Sequence, residues 1–127
     1  MPKKALEPIT ESMYYVLLCL HEKSMSGSEI AECVRDLTSD RVRLGPGTLY
    51  SILSTFQDEK IIEKMEPEGR RIPYRMTNKG EQLFQEEVHR LQKCLLDAER
   101  IHAVAESSEP DSVNADQNKL TPAFAGQ

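Results

Sequence analysis

The sequence predicts a mainly α-helical fold with a small β-hairpin, followed by one long helix. Three observations support this prediction. Three short segments, within about fifty residues, place apolar side chains at helical spacing. A following segment has the alternating pattern of two short strands, and the last periodic segment repeats in heptads. With 127 residues, the chain can bury a core without disulfide or metal support.

The three short helices are predicted from apolar residues at positions i, i+3, i+4 and i+7, which share one helical face. Before the first helix, Thr10 can cap the free N–H groups, and Glu11 favours the positive end of the helix dipole. Pro46 suits the first turn of the third helix, because its missing N–H costs nothing there. The periodic apolar residues are Met13, Val16, Leu17 and Leu20; Ile30, Cys33, Val34 and Leu37; and Leu49, Ile52, Leu53 and Phe56. Three such stripes predict a trihelical core.

A two-stranded hairpin is predicted after the third helix. The first strand, the turn and the returning strand are residues 61–66, 67–70 and 71–77. Pro73 indicates an edge position, since it cannot donate to a strand ladder. The tip carries Arg70 and Arg71, which suit a narrow minor groove or its phosphates. Three helices and a hairpin are the order of a winged helix-turn-helix, here over residues 9–77.

A long final helix, capped by Thr77 or Asn78, is predicted from a heptad seam. A lone amphipathic helix of this length needs a partner to cover its stripe, and self-association is the simplest source. The seam residues expected at a dimer interface are Phe84, Val88, Leu91, Leu95, Ala98 and His102. The predicted organisation is a winged domain, a dimerisation helix and a disordered tail, at residues 1–78, 79–105 and 106–127.

The charge distribution does not exclude a nucleic-acid partner, although the net charge is -5. Residues 1–79 carry 12 basic and 12 acidic side chains, so the excess acidity lies in the remainder. No apolar run approaches the ~18 residues that span a bilayer, and no secretory signal is recognisable. Three cysteines at wide spacings argue against a disulfide framework and against zinc. The composition therefore favours a cytoplasmic protein without a cofactor or metal.

The solvent face of the third helix is the candidate DNA-reading surface. It carries hydroxyl groups and a phenol but no charge before Asp58, so it can approach phosphates without repulsion. The start of this helix also offers free N–H groups to a phosphate. Arg75 is expected to be structural. The residues expected to contact DNA are Arg41, Arg43, Gly47, Thr48, Tyr50, Ser51, Ser54, Arg70 and Arg71.

The sequence resembles the PadR family of transcriptional regulators. The first motif that carries the resemblance is LGPGTLY at residues 44–50, where the family has L-S-P-G-T-L-Y. The second is formed by residues 69–77 and the following Gly80, where the family has G-R-x-x-x-Y-x-L-T-x-x-G. The resemblance implies a homodimeric winged-helix repressor on an inverted-repeat operator, and the single long terminal helix resembles the short subfamily. It also implies a small apolar effector between the first and last helices, where Tyr14 or Tyr15 could lie. Departures are Ser26 and Ser28, where many members have His and Tyr, and the absence of Trp, which some members use to bind flat drugs.

Three alternatives stay open at this point. A redox-responsive regulator would use Cys19 and Cys94, if they met near a dimer interface. A winged-helix module that binds another protein is compatible with the net negative charge. Catalysis has little support, because the cysteines lie on or beside apolar stripes, where cysteine is usually a small hydrophobe, and the histidines lack metal-ligand spacing.

Overall fold

The structure, a computed structural model of the chain, describes residues 9–108, with side chains to residue 103. The elements are α1 (Glu11–Glu22), α2 (Gly27–Leu37), α3 (Pro46–Asp58), β1 (Ile62–Lys64), β2 (Tyr74–Met76) and α4 (Asn78–Ser108). The predicted fold class, a mainly helical winged fold with a small hairpin and a long last helix, is confirmed. The chain divides into a first compact unit that ends at Val88 and a second that begins at His89.

Local capping explains where the helices begin. The Thr10 hydroxyl accepts a hydrogen bond from the Met13 N–H at 3.1 Å, as the sequence predicted. Ser26 and Glu29 form a reciprocal capping box at the start of α2. The Thr77 hydroxyl accepts from the Gly80 N–H at 3.1 Å and so caps α4. These caps fix the entry of the chain into three of the four helices.

The hairpin is attached to the helical core rather than freely exposed. Strands β1 and β2 are antiparallel, and the chain at Met25, between α1 and α2, pairs with Tyr74 through two backbone hydrogen bonds of 3.2 and 2.8 Å. Both strands are shorter than predicted. Beyond Lys64, a backbone hydrogen bond of 2.8 Å runs from the Met65 N–H to the carbonyl of Pro73. Pro73 has no N–H and so cannot donate a second hydrogen bond across the pair. The wing tip beyond this point is a separate turn.

One core joins α1, α2, α3, the hairpin and the start of α4. Its buried apolar residues are Val16, Leu17, Cys19, Leu20, Met25, Ile30, Val34, Leu44, Leu49, Ile52, Leu53, Phe56, Ile61, Ile62, Tyr74 and Phe84. The predicted helical stripes account for most of this set. Among the predicted stripe residues, Met13 and Cys33 are only partly buried, and Leu37 is 45% exposed at the end of α2.

The first two residues of the predicted dimer seam, Phe84 and Val88, pack against the chain's own core. Phe84 is 4% exposed and stacks on Tyr14 and His21, with ring centroids 5.9 and 4.7 Å apart. Val88 is half-buried and packs against the same core. The prediction that Phe84 lies at the dimer interface is therefore wrong, because its side chain covers the chain's own core, while the assignment of Val88 stays a prediction. Helix α4 runs to Ser108, beyond the predicted end at residue 105, and the rest of the predicted disordered tail lies outside the described residues.

Gly80 lies where α4 crosses the end of the hairpin, and we expect Gly80→Ala to destabilise the protein by about 2–3 kcal/mol. A Cβ at this position would collide with the carbonyl oxygen of Ile61 and would lie 2.7 Å from the Met76 Cγ. The carbonyl cannot move away easily, because it accepts hydrogen bonds from the N–H and hydroxyl of Thr77, both at 3.0 Å. Urea denaturation followed by circular dichroism measures the change.

Gly47→Ala is the matched control for Gly80→Ala. Nothing lies within 4 Å of a Cβ at Gly47, and alanine is the better helix former. This variant should be as stable as the wild type or slightly more so. Equal stabilities of the two variants would contradict the packing that we assign to Gly80.

Candidate nucleic-acid interface

The apolar stripe of α3 determines which of its side chains face solvent. Leu49, Ile52, Leu53 and Phe56 are buried, so the opposite side of the helix carries the exposed residues. These are Thr48, Tyr50, Ser51 and Ser54, four of the predicted contact residues. The first charged side chain of α3 is Asp58, in its last turn. The exposed face is therefore neutral and rich in hydroxyl groups, which can donate to phosphates and to base edges.

The start of α3 is open to an incoming anion. Gly45 is the N-cap and provides no side-chain hydrogen bond, and the first turn has no acidic residue. The first N–H groups of a helix lack intrahelical acceptors, and they lie at its positive end. Neither Gly45 nor Gly47 would place a Cβ within 4 Å of another group, so a phosphate can approach this backbone closely.

Tyr50 links the exposed face of α3 to the start of α2. Its hydroxyl and ring lie against Gly27, leaving no space for a Cβ there. It is also close enough to Tyr74 to contribute, after burial, to the raised pKa of that residue. Half of the Tyr50 surface, 51%, is still exposed. Tyr50 can therefore contact DNA while its ring is held against α2 and the hairpin.

Arg71 is held by carboxylates, which corrects the prediction that it is a free wing anchor. Its Nε and Nη2 donate to the two carboxylate oxygens of Glu29, at 2.9 and 3.1 Å, and its Nη1 donates to Glu68 at 2.6 Å. Such a two-point pair fixes the geometry of both partners. Glu29 also accepts from the Ser26 N–H at 2.9 Å. Arg71 thus fastens the base of the wing to the N-terminus of α2.

The same contacts hold Glu29 in its charged form. The Arg71 guanidinium, and then the Ser26 N–H, lower the pKa of Glu29 from its ordinary 4.5 to about 2. Because the folded-state pKa is the lower one, the pair contributes its full stability above about pH 4.5 and loses it as the pH falls toward 2. The attachment of the wing is therefore complete at neutral pH.

Arg70 is the wing arginine that remains available. It lies at the exposed tip, where Gly69 turns the chain with a φ of 65°. Within residues 9–108, no ion pair or hydrogen bond engages its guanidinium. Of the two predicted wing contacts, the structure keeps Arg70 as the candidate.

The other predicted arginines differ in their surroundings. Arg41 lies 3.5 Å from the Glu11 carboxylate and donates to the Tyr15 hydroxyl at 3.2 Å, so it is engaged by α1 and its assignment to DNA is not supported. Arg43 is 71% exposed and lies 3.4 Å from the exposed Asp40, a weak pair that a phosphate can replace. Arg75 pairs with Glu63 across the hairpin at 2.6 Å, which is the structural role expected for it.

The predicted effector residues Tyr14 and Tyr15 belong to an aromatic cluster. Their rings meet edge to face at 5.3 Å, and Tyr14 stacks on Phe84. Burial, and then the neighbouring Tyr15 and Glu87, raise the pKa of Tyr14.

A groove of about 660 Å³ lies elsewhere and does not include these tyrosines. Its lining residues are Lys23, Ser24, Met25, Glu29, Glu32, Cys33, Asp36, Leu37 and Arg71.

The redox alternative through Cys19 and Cys94 stays a prediction. Cys19 is fully buried in the core of the first unit, whereas Cys94 is exposed on the second unit. The neighbour of Cys19 is Cys33. Sequence reasoning missed this pair and the Glu29–Arg71 contact. Only the capping-box spacing from Ser26 to Glu29 could have pointed to the second.

A trihelical core, an uncharged exposed face on the third helix and a hairpin with an arginine at its tip define a winged helix-turn-helix protein. The chain belongs to the PadR-like family of transcriptional regulators, whose family model matches residues 16–86, more than half of its length. The family is one of regulators rather than of enzymes. No helix within residues 9–108 is both long and apolar enough to span a membrane.

Solved structures share this fold. A transcriptional regulator from Clostridium thermocellum is 24% identical, with a TM-score of 0.60 over 68% of this chain and 89% of that one. A PadR family transcription regulator from Clostridium difficile R20291 is 22% identical, with a TM-score of 0.58 over 68% of this chain and 94% of that one. H. salinarum RosR is 19% identical, with a TM-score of 0.61 over 84% of this chain and 99% of that one. At these identities the likeness concerns the fold alone.

One curated relative is an uncharacterized 37.1 kDa protein in transposon TN4556 of Streptomyces fradiae. It is 29% identical over 104 residues, which are 82% of this chain. The match spans only 28% of that protein.

Proposed function

We propose that the chain is a homodimeric repressor that binds an inverted-repeat operator, with one α3 helix in the major groove of each half-site. The observation that carries this proposal is the exposed face of α3, which is neutral and hydroxyl-rich and begins at an uncapped helix N-terminus. An acidic solvated face would not suit this task, because carboxylates repel phosphates. Repression, as the mode of regulation, comes from the family resemblance.

The wing completes the proposed contact. Arg70 would meet a phosphate or the minor groove beside the helix, and Arg43 would hold the backbone near the start of α3. The Glu29–Arg71 pair supports this geometry, because it fixes the position of the wing relative to α2. Arg70 is not part of this pair, so its charge is available to the DNA. The exposed charge at the surface is small, so each subunit should bind weakly and the dimer should supply the rest of the affinity.

Dimerisation is proposed through the part of α4 that lies beyond Val88. Leu91 and Leu95 continue the stripe of Phe84 and Val88, and they are 38% and 47% exposed. Ala98 and His102 follow at the same spacing and are also exposed. An apolar stripe of this length on an isolated helix is unfavourable in water, and a second copy of the helix would cover it. Two half-sites about one helical turn apart would then be bound together.

Release by a small apolar molecule is the regulatory step of the proposal, as the family resemblance implies. Tyr14 and Tyr15 are only partly buried, so their cluster still offers an aromatic surface. The alternative is a winged-helix protein that binds another protein instead of DNA. A chain that binds no DNA would favour this alternative.

We expect Arg70→Ala to weaken binding to any duplex by a similar factor, roughly 3- to 30-fold, and to lower the slope of log K against log salt by about 1. The reason is that a phosphate contact releases a counterion but reads no base. Fluorescence anisotropy across a salt series measures both quantities.

Arg75→Ala is the control for Arg70→Ala, because it removes the same charge from the same hairpin but from a side chain that is paired with Glu63. It should leave the salt slope nearly unchanged. If the two variants lower the affinity and slope alike, the assignment of a specific wing contact to Arg70 is wrong.

A further inference from the structure

Two thiols lie against each other where α1 packs on α2. The Sγ atoms of Cys19 and Cys33 are 2.8 Å apart, and both cysteines are free. The sulfur atoms of a disulfide are separated by about 2.05 Å, so little movement separates this pair from a covalent bond. No part of the proposed DNA-binding surface uses either thiol.

The two thiols differ in access. Cys33 is partly exposed and lines the groove of about 660 Å³, together with charged residues such as Lys23, Glu32 and Asp36. Cys19 is 0% exposed and lies behind it. Burial, and then the contact with Cys33, raise the pKa of Cys19, which keeps it a thiol while the core is closed. A small molecule therefore meets Cys33 first.

We propose that Cys33 is a site of oxidation by hydroperoxides and that Cys19 converts the product into a Cys19–Cys33 disulfide. An uncharged oxidant suits the groove, because the carboxylates of Glu29, Glu32 and Asp36 outnumber its two cationic groups. An anionic disulfide would be repelled by this lining.

The chemistry balances in two steps. In the first, the Cys33 sulfur attacks one oxygen of hydrogen peroxide, the O–O bond breaks, and the sulfur becomes a sulfenic acid. The thiol proton leaves with the second oxygen as water. In the second, the Cys19 sulfur attacks the Cys33 sulfur, the S–O bond breaks, and the hydroxide takes the Cys19 proton as a second water. Two thiols are oxidised by two electrons, and one peroxide is reduced.

Peptide mapping of the full chain tests the site. The wild-type protein is treated with hydrogen peroxide, its remaining thiols are alkylated with iodoacetamide, and it is digested with trypsin without reduction. Cys19, Cys33 and Cys94 fall in different tryptic peptides, residues 5–23, 24–35 and 94–100. We expect a linked pair of peptides 5–23 and 24–35, lighter than their sum by two hydrogen atoms, while peptide 94–100 carries the alkyl group. The linked pair should disappear on reduction.

Two variants assign the roles of the thiols. Cys94→Ser should give the same linked pair as the wild type. In Cys19→Ala the sulfenic acid at Cys33 has no resolving thiol, so dimedone should label peptide 24–35 in this variant and much less in the wild type. The inference is overturned if wild-type peptides 5–23 and 24–35 stay alkylated under peroxide that oxidises Cys94. It is equally overturned if Cys33 is linked to Cys94 rather than to Cys19.

Discussion

Ser51→Glu is expected to weaken operator binding by roughly 100-fold or more, because it places a carboxylate at the centre of the exposed face of α3. Ser51 is exposed, so the protein should fold as the wild type does. The new charge would lie against phosphates and base edges, where the native face presents only hydroxyl groups and the Tyr50 phenol. The loss combines a missing contact with direct repulsion. Anisotropy with a labelled operator duplex measures it at fixed salt.

Gln82→Glu is the matched control for Ser51→Glu. It adds the same charge at an exposed position of the first unit, on α4 instead of α3. We expect operator affinity within about 2- to 3-fold of the wild type, since only long-range repulsion acts there and salt screens it. Equal losses in the two variants would mean that net charge alone sets binding and that α3 does not read DNA. Melting temperatures close to that of the wild type exclude misfolding as the cause.

The double variant Leu91→Glu with Leu95→Glu is expected to be monomeric at concentrations where the wild type is dimeric. Both leucines are exposed in the described chain, and the heptad spacing places them on one stripe of the helix. Four carboxylates would then meet across a dimer seam, two from each copy. Sedimentation equilibrium measures the change, and the second half of α4 should lose helicity as its partner is lost.

Lys93→Glu is the control for this double variant, because it changes the net charge by the same two units but lies off the stripe, on the other side of α4. It should remain dimeric. The double variant should also bind a full operator no more tightly than a half-site, with the steepness of the binding curve lost. A double variant that sediments as a dimer would contradict the interface that we propose.

Helical periodicity was sufficient to predict the elements and most of the core. Apart from the exposed Leu37, the stripes of α1, α2 and α3 are buried or partly buried as expected, because each short amphipathic helix has one apolar side and one core to cover. The strand lengths were less well predicted, since pairing depends on which N–H and carbonyl groups meet. At Pro73 the absence of a donor ends the ladder.

The heptad seam shows a limit of pattern reading. Phe84 and Val88 have the same spacing as Leu91 and Leu95, but the first two pack in their own domain and the second two are exposed. A heptad pattern records that a residue needs an apolar contact, and it does not record which surface supplies it. The position where α4 leaves the core depends on the packing of Tyr14 and His21, which is tertiary information.

The arginines show the same limit for charge. Arg70 and Arg71 are neighbours in the sequence and were equivalent as wing contacts, yet Arg71 alone meets Glu29, which lies 42 residues away in the chain. Likewise, the apolar stripes placed Cys19 and Cys33 inward or beside the core, but their contact depends on how α1 and α2 pack. The spacing of residues in the sequence does not show which charged group or thiol has a partner when that partner is distant in the chain.

Selection of genomic fragments by the purified wild-type chain tests the central claim most directly. The protein is mixed with sheared DNA from its source genome at low salt, bound fragments are sequenced, and Ser51→Glu is run in parallel. We predict discrete enriched sites that share an inverted repeat with half-site centres about one helical turn apart, absent from the Ser51→Glu selection. No enrichment over input, or the same enrichment with Ser51→Glu, would contradict the conclusion that this winged helix reads DNA through α3.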